Sequence, residues 1–305
     1  MLPKKIRMMA RLGLQQITVS YFYVFGSQVL VLKTWGKLHL FVNNYHEVFA
    51  KYKKQQPEKK NSYLKPAIKF IRTFFLMGCA SMVINTMDIM KNPRKPIYFT
   101  AAVPPSKLKM LKFVLVPIHL DLWLHLYGAM LFATVFEIHY LFNLVEHLKN
   151  LHPASGFKSF KTMIRKPEFM KAYRQVMILQ AFSNSFAAHL FGIWDIVSIL
   201  VAISGFYGSL AIDGTVRIKF FYVGCYVTWF VKTVFDKAAE VRETSLKVLS
   251  YWKIRSGDKE FRMFLATCRP IGISVSNMFV ADRTLVFSIL SIILDNTVTL
   301  MLTTR

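Results

Sequence analysis

About six stretches of this chain are apolar for long enough to cross a bilayer, a span needing about 20 mostly apolar residues. They run Leu12 to Leu32, Ala67 to Met90, Phe113 to Phe136, Leu179 to Ile212, Phe220 to Phe235 and Thr284 to Leu302. In hydrocarbon every backbone polar group must be satisfied internally, so such stretches fold as helices. The expectation is an all-α polytopic membrane bundle, a single transmembrane helical domain over residues 1–305. Hydrophobic residues make up 54% of the chain and mean hydropathy is +0.35, more apolar surface than a soluble core consumes. Leu179 to Ile212 is long enough to tilt or to continue beyond the membrane as a helix. Phe220 to Phe235 is short but aromatic-rich.

A net charge of +24 would suggest nucleic acid in a soluble protein. Here Lys and Arg lie between the apolar stretches, as loop charges held near anionic headgroups, and no basic and aromatic reader motif accompanies them, so no nucleic-acid partner is expected. Lys51, Lys53, Lys54, Lys59 and Lys60 mark one cytoplasmic loop; Lys149, Lys158, Lys161, Arg165, Lys166, Lys171 and Arg174 mark another. From Asp236 onward charges alternate in sign (Asp236, Lys237, Glu240, Arg242, Glu243, Lys247), the pattern of a solvated helix continuing out of a span. Cytoplasmic helical extensions are therefore expected around 137–178 and 236–283. That orientation leaves Lys4, Lys5, Arg7 and Arg11 on the outer side, against the preference of basic flanks. A further span preceding Met1 would resolve the conflict, as would one misassigned segment.

Chemistry-bearing constellations are sparse. Cys79, Cys225 and Cys268 have no metal-ligand spacing and are read as packing residues. His119, Asp121 and His125 do not share a helical face, and no phosphate loop, nucleophile elbow or carboxylate pair is present, so neither an enzyme nor a metal or other cofactor is expected. Asp295 is different. A carboxylate within an apolar stretch costs at least ~2.5 kcal/mol at the bilayer centre unless it faces protein or water. With Asn296, Thr297 and Thr299 it makes a polar stripe on the last segment, suited either to a cation path or to a place near the outer interface.

The C-terminal third carries a resemblance. A charged helix (Asp236 to Lys253) follows the penultimate span; then come Phe264, Leu265, Arg269, Pro270, Ile273 and Phe279, and a final apolar span with almost no tail. This layout resembles the arthropod gustatory and odorant receptor superfamily. The Thr-Tyr and Gln-Phe pairs that often end gustatory receptors are absent from Asp295-Asn296-Thr297-Val298-Thr299-Leu300-Met301-Leu302-Thr303. The resemblance implies seven spans, the six seen here being the second to seventh, in a plasma-membrane ligand-gated nonselective cation channel of four subunits. The subunits would be identical or paired with related receptors. It further implies a pore lined by Leu294, Asp295, Val298 and Leu302 on the final helix, and a subunit interface formed by Ala238, Val241, Leu246, Leu249 and Trp252. A pocket for a small-molecule tastant or odorant would lie in the outer half of the bundle, near Tyr21, Asn85, His119, Trp123, Tyr222 and Tyr226. Two other readings stay open: a secondary transporter using buried acids such as Asp121 and Asp195, and a truncated, nonfunctional receptor copy.

Overall fold

The computed structural model describes residues 36–37, 39–45, 47–48, 64–91, 117, 121, 137–152, 166–212, 215–276 and 279–304. The segments Leu12 to Leu32 and, but for two residues, Phe113 to Phe136 lie outside them. The elements are α1, the helical residues between 36 and 48; α2, Leu64–Lys91; α3, 137–150; α4, Lys166–Ala211; α5, Thr215–Ile254; α6, Lys259–Thr267; strands β1, Ser274–Val275, and β2, Phe279–Val280; and α7, Arg283–Thr304. The helical bundle expected from the long apolar stretches is what forms.

Three helices among the described residues are long and apolar enough to cross a bilayer: Lys65–Ile84, Arg217–Ile254 and Arg283–Thr303. The chain is a multi-pass membrane protein. On α4 the uninterrupted apolar stretch is Asp195–Ala211, shorter than the run read from the sequence. At 1.5 Å per residue the 46 residues of α4 and the 40 of α5 extend for roughly 69 and 60 Å, about twice a hydrocarbon core. Each therefore continues well past the membrane. The predicted extension after Phe235 is an unbroken part of α5, ended by the turn at Arg255 and followed by α6.

α4 and α5 meet backbone to backbone at Gly205 and Gly224. A Cβ on Gly205 would stand 2.7 Å from the Gly224 nitrogen, so only hydrogen fits there. Farther along, Phe169, Tyr173, Trp252, Phe261 and Leu265 pack into one buried cluster, with the Phe169 and Trp252 ring centroids 4.7 Å apart. The Trp252 indole N–H donates to the Leu151 carbonyl over 3.1 Å, tying the end of α3 to α5. Lys149, read from sequence as a loop charge, bonds Glu240 at 2.6 Å, and Lys237 meets the same carboxylate at 2.5 Å.

The β-hairpin was not anticipated. β1 and β2 pair antiparallel, Ser274 opposite Val280 and Val275 opposite Phe279. Two-residue strands carry too little alternation for periodicity to reveal.

Candidate functional site

α7 buries one stripe and exposes the rest. Val286, Ile289, Ile293 and Thr297, at helical spacing, are 2–5% exposed and face α4 and α5. On other faces Phe287 is 71% exposed, Leu294 64%, Val298 48% and Leu302 71%. Asp295 is exposed too, accepting a 3.0 Å bond from the Ser291 hydroxyl one turn below. Thr297, assigned by sequence to the polar stripe, turns inward and donates to the Ile293 carbonyl. All four pore candidates, Leu294, Asp295, Val298 and Leu302, thus share the exposed side of a helix whose 22 residues match a bilayer's hydrocarbon thickness.

The base of α7 is fastened by charge. One Asp282 oxygen caps the helix by accepting from the Leu285 N–H (3.0 Å), and the other accepts from Arg242 of α5 (3.1 Å). Arg283 reaches both oxygens of Glu243, at 2.5 and 3.2 Å. A cation at a helix N-terminus opposes the macrodipole, and Glu243 offsets that.

The connector from α6 to α7 is anchored in the core. Tyr173 donates to the Arg269 carbonyl (3.0 Å) and meets the Ser245 hydroxyl (2.8 Å), which accepts from the Ile271 N–H at 2.8 Å. Burial raises the Tyr173 phenol above its ordinary value, so it stays protonated and able to donate. At the hairpin tip Ser276, with φ 49°, donates its N–H to the Ala188 carbonyl at 2.7 Å. A Cβ on Gly192 would fall 1.5 Å from the Ser276 hydroxyl, so the tip seats only because residue 192 has no side chain.

Of the ligand candidates, Tyr222 and Tyr226 come together, rings 6.3 Å apart and 11° from parallel. They pack on α2: Tyr222 donates to the Met77 carbonyl at 2.6 Å, and the Tyr226 and Phe74 centroids are 5.4 Å apart. Met77 is at the middle of α2. Asn85 is on α2 beyond it. Tyr21, His119 and Trp123 lie outside the described residues.

The interface candidates divide into two groups. Ala238, Val241, Leu249 and Trp252 are 0–7% exposed and buried in the chain's own core; Leu246, 46% exposed, faces outward. Helical spacing alone predicts that α5 has a buried face, not whether the partner of that face is in the same chain.

Other functional candidates were missed or undervalued. Asp195 is 8% exposed, and its Oδ1 has no hydrogen-bond partner among the described residues. Asp121 is helical and exposed. Burial drives the Glu137 carboxyl up to about 8 and the His147 imidazole down to about 4, favouring the neutral form of each. Polar residues inside apolar runs, such as Gln180 and Asn184, were the available signal.

No protein-family model and no curated protein sequence matches this chain. Solved structures do. The insect olfactory receptor OR5 from Machilis hrabei in complex with eugenol superposes with a TM-score of 0.74 at 15% identity, covering 96% of this chain and 82% of that one. A second structure of that receptor gives 0.69 at 14%, with 93% and 79% covered. The resemblance read from the C-terminal third is thus met by a shared fold.

Proposed function

We propose that this chain is a chemosensory receptor of the plasma membrane, a ligand-gated nonselective cation channel opened by a small, mostly apolar tastant or odorant. The observation that carries the reading is the two-sided α7: bilayer-length, packed on α4 and α5 along one stripe, and presenting Leu294, Asp295, Val298 and Leu302 on the side this chain does not cover. A lone exposed carboxylate in a span is costly against lipid but favourable beside water. Four such helices around an axis give a path in which Asp295 attracts cations, while Val298 and Leu302, one turn apart, form an apolar constriction that closes by dewetting. The fold shared with an olfactory receptor supports the same assignment.

Stacked Tyr222 and Tyr226, backed by Phe74 and Trp229, suit an apolar ligand fixed by few hydrogen bonds; the similar structure's eugenol is of that class. Nothing in this mechanism calls for a catalytic residue. Voltage-clamp recording tests the reading. Cells expressing the chain, alone or with a related receptor subunit, are expected to pass cation current on exposure to a panel of volatile and tastant molecules including eugenol. Asp295→Ala should abolish the current while surface expression is retained. Solute uptake without current would assign the chain to transport instead, and silence with every partner would identify a nonfunctional copy.

A further inference from the structure

A chain of polar side chains runs through the apolar core and ends on the backbone that leads into α7. The Tyr140 hydroxyl of α3 donates to Gln180 Oε1 of α4 at 2.5 Å. Gln180 Nε2 donates to Asn184 Oδ1 at 2.8 Å. Asn184 then contacts the connector twice: its Oδ1 accepts from the Ser274 N–H and its Nδ2 donates to the Gly272 carbonyl, each at 3.1 Å.

The chemistry of that last step is specific. In an extended chain the carbonyl of one residue and the N–H two residues on point to the same edge. The opposite edge of β1 is taken by β2, where the Ala281 N–H donates to the Ile273 carbonyl at 2.8 Å. The Asn184 amide therefore substitutes for a third strand, completing both sides of a strand too short to be stable alone. No other side chain of this length offers a peptide-like donor and acceptor together. Tyr140 and Gln180 are 6% and 3% exposed, so the bonds form where water does not compete and a broken one leaves a costly orphan.

From this geometry we infer that Asn184 is the positioning residue of α7, and that the Tyr140–Gln180–Asn184 relay couples displacement of α3 to the connector on which α7 is mounted. As a gating element the relay rests on the channel reading; as a mechanical coupling it does not. Two kinds of measurement on the full chain separate these.

The first is hydrogen exchange of the chain in lipid nanodiscs, followed at the Ser274 amide. Asn184→Asp turns the donor to Gly272 into a repelling oxygen and should accelerate exchange at 274 about tenfold or more. Tyr140→Phe removes one hydroxyl at the far end of the relay and is expected to accelerate the same amide about fivefold. Combined with Asn184→Asp it should add nothing further. Unchanged exchange at 274 in Tyr140→Phe, or full additivity, would overturn the relay. Should Asn184→Asp not fold, Gln180→Leu takes its place in the same cycle.

The second is current evoked by whichever panel molecule opens the parent. Tyr140→Phe is expected to shift the half-maximal concentration about fivefold with unitary conductance unchanged, since the relay is outside the pore. An altered conductance with an unmoved midpoint would contradict the positioning role. A silent parent would remove the channel reading and leave the exchange result to decide the coupling.

Discussion

Ser245 shows how much one small side chain can carry. It is fully buried, accepts the Ile271 N–H and meets the Tyr173 hydroxyl, so α4, α5 and the connector converge on a single oxygen. Replacing it with Ala leaves a donor without its acceptor, and Ser245→Ala is expected to cost about 1–3 kcal/mol in denaturant or thermal unfolding. Tyr173→Phe leaves Ser245 its bond to Ile271 and should cost less. His147 predicts a pH dependence. It is 5% exposed, and burial lowers it from 6.5 to about 4, so the folded chain binds fewer protons than the unfolded chain between those values. Stability falls as the pH drops through that window, by on the order of 2–3 kcal/mol if no other group compensates. Thermal unfolding at pH 7.5 and pH 5 should show the loss, and His147→Gln, which cannot be protonated, should flatten it. None of this was legible in the sequence. A serine, a tyrosine and a histidine among apolar neighbours look alike whether they meet each other or merely pack.

At the scale of elements, the sequence was most informative where one physical rule acts alone. Long apolar runs must be helices in lipid, and α2, α5 and α7 stand where hydropathy placed them. Alternating charge predicted the continuation of α5, and the i, i+4 pair Lys232–Asp236 at 2.6 Å and the i, i+3 pair Lys237–Glu240 at 2.5 Å support it. The connector followed no such rule. Its conformation depends on Asn184, Ala188 and Gly192, each more than 80 residues earlier, and on an Asp282 cap invisible without knowing where α7 begins. Asp282→Ala removes both that cap and the Arg242 bond. It is expected to destabilise by about 1–2 kcal/mol, most of it from the cap, because a half-exposed ion pair contributes little. Asp282→Asn keeps a capping oxygen and should recover most of the loss, measured as the shift in thermal midpoint.

For the molecule as a whole, the resemblance in layout was legible from the C-terminal third and the shared fold agrees with it. The assembly was not. Ala238, Val241, Leu249 and Trp252 have the pattern of an interface, but their partners are within the chain, whereas Leu294, Val298 and Leu302 remain uncovered. Periodicity reports that a face is apolar, not what meets it. Channel function therefore requires that the open side of α7 face an aqueous ion path. Single cysteines introduced along α7, with Cys79, Cys225 and Cys268 replaced by serine, decide this when a charged, membrane-impermeant thiol reagent is applied during an evoked current. Val298→Cys and Leu302→Cys should be modified and the current blocked, while Ile289→Cys and Ile293→Cys, buried against α4 and α5, should be untouched. Block at Ile289 and Ile293 with none at Val298 and Leu302 would contradict it.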